Sequence, residues 1–179
     1  MPMTVTEPID EIYIDCDVLS HFIKAGRLDD LPNIYKFKII INDVVKAEIS
    51  ERKGYDKIIS EFIVKNNIGE IKVEDDLKTL TEYSRLILSK GKGEAACLAL
   101  AKINKKRIAS SNGIDVKKYC KENDIECYST GDFLYEAILS GKMTPDECNS
   151  FIKTVKSKNS NLPYDSIEEF AEKRKVKKK

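Results

Sequence analysis

The sequence predicts a single α/β domain in which helices cover a parallel β-sheet. Short apolar runs of strand type alternate along the chain with longer segments of helical period, and this alternation is typical of strand–helix–strand units. A length of 179 residues fits one domain. With 41% hydrophobic and 34% charged residues, the composition is too apolar for intrinsic disorder.

Each predicted element follows from one of these two patterns. The apolar runs predict strands at 12–14, 37–41, 68–73, 107–109 and 125–128. These strands are short, and buried parallel strands usually are. The segments of helical period predict helices at 17–25, 43–51, 55–66, 75–89, 92–104, 115–123, 131–140 and 145–156, and a last one from about 164.

Residues that can cap a helix N-terminus support several of these starts. Asn42 or Asp43 can cap the helix after the second strand, and Thr130 can cap the helix that begins at 131. Thr144 is followed three residues later by Glu147, which is the pattern of a capping box. These residues therefore favour helix starts at the predicted positions.

The predicted domain boundary lies near residue 156. The polar segment 156–161, Lys-Ser-Lys-Asn-Ser-Asn, is the one candidate linker, so we divide the chain into a domain at 1–156 and a C-terminal helix with a basic tail at 157–179. The second part is too short to have a core of its own. We therefore expect its helix to dock on the body or on a partner.

Basic charge is concentrated at the C-terminal end. From Lys173 to Lys179 there are six basic residues and no acid, while the formal net charge of the chain is only +1, so the preceding residues are net negative at −5. Such a run is either a solvated, frayed tail or an electrostatic arm for phosphates.

The sequence carries no feature that directs a chain into a membrane. No apolar run approaches the ~20 residues of a membrane-spanning helix, and residues 1–10 lack the basic start and apolar core of a signal peptide. We therefore expect a cytoplasmic protein. Its five cysteines include no Cys-x-x-Cys pair, and we expect reduced, mostly buried side chains at Cys16, Cys97, Cys120, Cys127 and Cys148.

The scarcity of histidine excludes several kinds of site. His21 is the only histidine, so a zinc site with two or three imidazoles is impossible, and a Ser-His-Asp arrangement would depend on this one residue. His21 lies in a segment of helical period, and we interpret it as an ordinary helix-surface histidine. Any chemistry is therefore expected to depend on carboxylates.

Acidic residues lie where a parallel sheet binds its ligands, at the carboxyl ends of the strands. Asp15 and Asp17 follow the first strand, and Glu48 lies on the helix after the second. A helix cap explains Asp17 as well as a ligand-binding role does, and a solvated position explains Glu48 equally well. Glu94 is the sole charge in the small-residue segment 93–101. The helix dipole stabilises a negative charge at this position. A carboxylate in an otherwise apolar surface is costly unless it is paired or binds a cation, and we favour this second explanation.

The order of four short motifs resembles the PIN-domain nucleases, including the toxin ribonucleases of bacterial and archaeal toxin–antitoxin pairs. Within about residues 10–140 these are Tyr-Ile-Asp-Cys-Asp, Ala-Glu-Ile, Gly-Glu-Ala-Ala-Cys-Leu-Ala-Leu-Ala and Arg-Ile-Ala-Ser-Ser-Asn. The resemblance implies a three-layer α/β/α sandwich with a short-stranded parallel sheet. It also implies an acid cluster that holds one or two Mg²⁺ or Mn²⁺ ions. Asp15, Glu48 and Glu94 match the first three family acids and are the predicted metal ligands.

The fourth acidic position of the family falls on neutral residues here. Ser110 can fill the hydroxyl position, but Ser111 and Asn112 replace the aspartates, and Asp115 is the nearest carboxylate. Because Mg²⁺ takes only one or two carboxylates directly, three acids can still hold one ion, with the amide oxygen of the predicted catalytic residue Asn112 as a neutral ligand. Asn112 or Asp115 is the expected fourth ligand, and we expect Asp17, Ser110 and Ser111 to contact the ligands or the substrate.

The resemblance implies a metal-dependent endoribonuclease that leaves a 5′-phosphate and a 3′-hydroxyl, forms a homodimer and is covered by an antitoxin protein. Lys90 and Lys92 are the predicted contacts to the RNA backbone. The neutral Ser111 and Asn112 leave a second hypothesis open, a PIN-like module that binds RNA or protein without cleavage. A phosphoacceptor receiver domain is a third, but it needs a lysine just after the fifth strand, and none is present.

Overall fold

The computed structural model describes residues 10–176 and contains a five-stranded sheet in which all neighbouring strands are parallel. The strand order is β3-β2-β1-β4-β5. The strands are β1 Glu11–Ile14, β2 Lys38–Asn42, β3 Gly69–Ile71, β4 Arg107–Ala109 and β5 Cys127–Tyr128. The predictions for residues 1–9, and for Lys177, Lys178 and Lys179 of the basic tail, lie outside the described residues.

Helices cover both faces of this sheet, which gives the predicted α/β/α sandwich. Within the described chain the helices are α1 Cys16–Lys24, α2 Leu31–Ile34, α3 Asp43–Ser50, α4 Tyr55–Lys65, α5 Leu77–Leu86, α6 Lys92–Asn104, α7 Ile114–Glu122, α8 Thr130–Leu139, α9 Pro145–Ser157 and α10 Ile167–Val176. In residues 10–176 no helix is long and apolar enough to cross a membrane.

The predicted strands and helices are confirmed apart from their ends and one short helix. The four-residue α2 was missed because a helical period is recognised only over a window of about 11–18 residues. The predicted third strand at 68–73 is paired only over Gly69–Ile71, and the predicted helix 75–89 is helical over Leu77–Leu86. Element ends depend on local hydrogen bonds that periodicity does not encode.

Two of the three predicted caps are confirmed. The Asn42 side chain accepts a hydrogen bond from the Val45 N–H at the start of α3, and Thr144 forms the expected capping box on α9. The prediction for Thr130 is wrong, because Ser129 caps α8 in a capping box with Asp132. The threonine is the first residue of the helix instead, and its hydroxyl is left for another partner.

The core lies on both faces of the central strand. Ile12 and Ile14 of β1 are fully buried, and every residue of α6 from Ala95 to Ala101 is buried. The small side chains of α6 let its backbone approach the sheet closely. The five cysteines are free thiols, and only Cys127 is partly exposed, as predicted.

His21 differs from its prediction as a surface histidine. The residue is only 5% exposed, because α9 packs over α1 on this side of the molecule. The next residue, Phe22, contacts Phe151 of α9 with ring centroids 4.9 Å apart. The local sequence pattern of α1 could not reveal that a helix more than a hundred residues later covers it.

The C-terminal helix docks on the body, one of the two outcomes expected for it. Phe170 packs directly on Gly131 of α8, where an added Cβ would lie 2.3 Å from the ring. Its ring also contacts Tyr164, with centroids 5.1 Å apart. Arg174 forms an ion pair with Asp132 at 2.9 Å. Residues 157–176 are therefore part of the same packed unit as the sheet.

We predict that Gly131→Ala loosens the docking of α10. The new methyl group would overlap the Phe170 ring, and overpacking of this kind costs about 1–3 kcal/mol, less the smaller gain in helix propensity. Urea unfolding should therefore give a free energy of unfolding about 1–2 kcal/mol below wild type.

The matched control for this prediction is Gly91→Ala, where an added Cβ meets nothing within 4 Å. Because Gly91 is the N-cap of α6, this control should lose less than about 1 kcal/mol. Equal losses in the two variants would show that the contact between Phe170 and Gly131 does not hold the helix.

Candidate active site

The candidate site lies at the carboxyl end of the central strand, where the strand order reverses between β1 and β4. Ligands of open α/β sheets bind in the crevice at this point. Asp15 directly follows β1, and its backbone N–H still pairs with Ala109 of β4 at 2.9 Å. Its side chain is buried, at 2% exposure for the residue, and accepts a hydrogen bond from the Cys16 N–H at 2.7 Å. Asp15 is therefore both the cap of α1 and the carboxylate nearest the sheet.

Gly93 is the point where two of the predicted ligands meet. Its N–H donates to Glu48 Oε2 at 3.1 Å. An added Cβ at Gly93 would lie 2.6 Å from Glu48 Oε2 and 3.3 Å from Asp15 Oδ1. The carboxylates of β1 and α3 thus approach each other beside the first turn of α6, in space that only a glycine leaves free.

Glu94, the third predicted ligand, follows this glycine and joins two other segments. Its Oε2 accepts a hydrogen bond from Asn112 Nδ2 at 3.0 Å, and its Oε1 lies 3.6 Å from Lys90 Nζ. Both charged side chains are largely shielded, at 15% exposure for Glu94 and 11% for Lys90. The glutamate is therefore held between the loop after β4 and the segment before α6.

The electrostatics show that negative charge at this site is poorly compensated. Burial raises the pKa of Asp15 well above its usual range, and the carboxylates of Asp17, Glu94 and Glu48 raise it further. Burial also raises the pKa of Asp17, although the hydrogen bond that Asp17 accepts from the Ser111 N–H opposes this shift. A bound cation would relieve the repulsion among these groups.

The donor set fits a hard divalent cation in its chemistry. As the side chains stand, no group of three or more His, Cys, Asp or Glu in residues 10–176 is arranged so that it could hold a metal ion. Asp15 and Glu48 nevertheless converge beside Gly93, and Mg²⁺ needs only one or two carboxylates because it keeps several waters. The carboxylates and the hydroxyl that converge here offer oxygen ligands, which Mg²⁺ and Mn²⁺ prefer.

The three neutral residues at the fourth family position each bond to one acid. Ser110 Oγ donates to Asp15 Oδ2 at 3.2 Å. The Ser111 N–H donates to Asp17 Oδ2 at 2.8 Å, and Asn112 bonds to Glu94 as described above. The structure therefore brings these loop residues, together with Asp17, to the acid cluster.

The remaining predicted residues lie around the cluster. Asp115 is exposed in the first turn of α7 and lines a surface cavity that Lys90 also lines. Lys92 is exposed and lines a second cavity, of about 480 Å³, together with Glu48. Of the two lysines expected to contact RNA, Lys92 is thus open to solvent, while Lys90 is engaged with Glu94.

Sequence reasoning missed a buried hydroxyl chain behind the loop. Ser111 Oγ lies 2.8 Å from Thr130 Oγ1, which in turn lies 2.7 Å from His21 Nδ1. Burial, and then the charges of Lys24 and Arg52, lower the pKa of His21 to about 4, so the imidazole is neutral. The only available signal was that Thr130 follows a predicted strand, since the three residues are far apart in sequence.

A comparison with protein-family models matches residues 11–175 to the PIN domain. The chain belongs to the PIN-domain family. The match begins in β1 and ends in α10, so it includes the acid cluster and the docked C-terminal helix. PIN domains are a nuclease-type family, and the nuclease-type prediction is confirmed at that level. A search of curated proteins returned no match.

We predict that Gly93→Ala impairs metal binding by this PIN domain without unfolding it. The added Cβ would push aside Glu48 Oε2, the flexible end of a side chain. Displacing a ligand in this way should weaken Mn²⁺ affinity about 10–100-fold, measured by isothermal titration calorimetry. The Gly91→Ala control should bind Mn²⁺ as wild type does, and equal affinity in all three proteins would contradict the arrangement beside Gly93.

We also predict a pH-dependent contribution of His21 to stability. Its pKa is about 4 in the folded protein against a usual 6.5. Between these values the unfolded chain binds a proton that the folded protein does not, so the free energy of unfolding falls as pH falls, by about 3 kcal/mol in total.

Urea unfolding between pH 7 and 4, compared for wild type and His21→Asn, measures this contribution. The difference between the two proteins in the free energy of unfolding should narrow as pH falls, because only wild type loses the stability that neutral His21 contributes. Asp15 and Asp17 titrate in both proteins and cancel in the difference. Parallel curves would show that His21 is not held neutral.

Proposed function

We propose that this PIN domain is an endoribonuclease that depends on Mg²⁺ or Mn²⁺. The observation that carries the proposal is the approach of Asp15 and Glu48 to one point beside Gly93, with Glu94 adjacent. Three elements distant in sequence, β1, α3 and α6, deliver these carboxylates to the crevice where such folds bind ligands. The raised pKa of Asp15 supports a site built for a cation.

In this proposal each side chain has a defined task. Asp15 is fixed by the Cys16 N–H and the Ser110 hydroxyl, and Glu48 is fixed by the Gly93 N–H, so the ligands are oriented before a metal binds. A bound Mg²⁺ or Mn²⁺ supplies a polarised water for in-line attack on phosphorus and neutralises charge on the phosphate oxygens. Exposed Lys92 attracts the RNA backbone.

Asn112 takes a different role from the acid that it replaces. It donates to Glu94 through Nδ2, and its carbonyl oxygen remains an acceptor for water or for a ribose hydroxyl. It lowers the negative charge of the cluster while it positions the third ligand. We therefore keep Asn112 as a neutral catalytic residue in this proposal.

The partners and the location also remain proposals. A homodimer and an antitoxin protein are proposed because the family resemblance implies them. Analytical ultracentrifugation distinguishes a monomer of 20.3 kDa from a dimer. Five free thiols are consistent with a toxin that acts in the reducing cytoplasm.

A module that binds RNA without cleaving it is the second candidate. Two observations favour it: neutral Ser111 and Asn112 at the fourth position, and the separation of the acids as their side chains stand in residues 10–176. On this alternative, purified protein with Mn²⁺ leaves single-stranded RNA intact but still retards it on a native gel.

We predict that Asp15→Asn and Glu94→Gln each abolish cleavage of labelled single-stranded RNA in Mn²⁺. Each change removes one metal-holding charge, and losses of about 100-fold or more are expected for groups that stabilise the transition state. Asn112→Asp should keep or raise the rate, because it restores a carboxylate beside Glu94.

The matched control is Asp146→Asn, an exposed acid on α9 that touches none of these residues. It should cleave as wild type does. Equal rates in all of these proteins would identify a contaminating nuclease and remove the case for this site.

A further inference from the structure

A further cavity, of about 530 Å³, lies between the loop after β4 and the C-terminal segment. Its volume falls within the roughly 300–1,000 Å³ of small-molecule sites. Ser111 and Ser129 line it on the side of the sheet, and Tyr164 and Phe170 line it on the side of the C-terminal segment. The function proposed above does not use this cavity.

The cavity is continuous with the acid cluster through Ser111. This residue lines the cavity, and its N–H donates to Asp17 Oδ2 at 2.8 Å. The preceding residue, Ser110, donates to Asp15. Ser111 is therefore shared by the cavity and the acid cluster, so the two adjoin each other at this residue.

Two aromatic rings and one unsatisfied polar group shape its interior. Tyr164 and Phe170 contact each other at 5.1 Å between centroids, and aromatic side chains are the usual stacking platforms for unpaired bases. Tyr164 is 95% buried, and its hydroxyl has no hydrogen-bond partner among the described residues. Buried hydroxyls are normally bonded, so this one is free for a water or a ligand in the cavity.

Basic side chains surround the opening. Arg174 is engaged with Asp132, and Lys173 with Glu169. Lys117 of α7 is exposed and forms no ion pair with any residue in 10–176. Its ammonium is therefore available to a phosphate, while the other two cations add to a local positive potential.

We propose that this cavity binds one nucleotide of the RNA substrate, adjacent to the phosphate held at the acid cluster. The base lies against the partly exposed ring of Phe170, which Tyr164 supports from behind, and Lys117 contacts the phosphate that follows. The inference rests on the proposed ribonuclease function and adds a subsite to it. It also gives the docked C-terminal helix a direct role in substrate recognition.

The test uses the full-length protein and a single-stranded RNA 12-mer that contains 4-thiouridine. Irradiation with Ca²⁺ in place of Mn²⁺, so that a hard cation still neutralises the acid cluster, should crosslink the RNA to Tyr164 or Phe170, as mapped by mass spectrometry. In the same buffer, fluorescence anisotropy with a labelled 12-mer should show that Lys117→Ala weakens binding about threefold or more. The slope of log Kd against log salt should fall by about 0.7.

The matched control is Lys121→Ala, which removes one exposed positive charge from the same helix but does not line the cavity. Lys121→Ala should bind RNA with an affinity within about twofold of wild type, because salt screens the effect of a charge that does not contact the RNA. Equal losses for Lys117→Ala and Lys121→Ala, crosslinks confined to other residues, or no binding of RNA would each overturn the subsite. If the cavity instead binds a side chain of a protein partner, no crosslinks to Tyr164 or Phe170 are expected.

Cleavage of the same 12-mer in Mn²⁺ separates this inference from the proposed function. Crosslinks at Tyr164 or Phe170 without cleavage would support the subsite and contradict the nuclease. Cleavage without these crosslinks would support the nuclease and contradict the subsite.

Discussion

Crowded carboxylates at the carboxyl end of β1 are the constraint on which the rest of this structure depends. The sheet fixes Asp15 in a buried position, and α3 and α6 bring Glu48 and Glu94 to it. Gly93 leaves the space in which Asp15 and Glu48 approach each other. A ligand-free cluster of this kind is unfavourable, because burial and like charges both oppose ionisation. These carboxylates therefore lower the stability of the folded protein, as functional sites often do.

The surrounding structure moderates this repulsion without removing it. Lys90 lies 3.6 Å from Glu94, and backbone or hydroxyl donors from Cys16, Gly93 and Ser110 bond to the other acids. The neutral loop residues Ser111 and Asn112 contribute further donors, to Asp17 and Glu94. These contacts orient the carboxylates, and they leave much of the negative charge uncompensated.

Much of the fold was predictable because its signals are local and repeated. Five apolar runs and the helical periods between them reproduced the sheet and most helices. The position of Asp15 after a buried strand and of Glu94 in a small-residue helix predicted an acidic site. Local residues alone left Glu48 undecided, and the family resemblance, which the match to residues 11–175 confirms, assigned it.

What the sequence could not supply depends on contacts between distant segments. The burial of His21 by α9, its bond to Thr130 and the position of Phe170 on Gly131 each join residues that lie far apart in the chain. The cavity over Ser111 exists only because α10 docks beside the loop after β4. Periodicity describes one face of one element, and it does not say which other element will cover that face.

The most direct measurement is the thermal stability of wild type and Asp15→Asn, each in EDTA and in Mn²⁺. If buried, repelling carboxylates await a cation, Asp15→Asn in EDTA should be more stable than wild type by about 0.5–2 kcal/mol at neutral pH. Mn²⁺ should raise the melting temperature of wild type but not that of the variant. A variant less stable than wild type in EDTA, with equal responses to Mn²⁺, would contradict this account of the site.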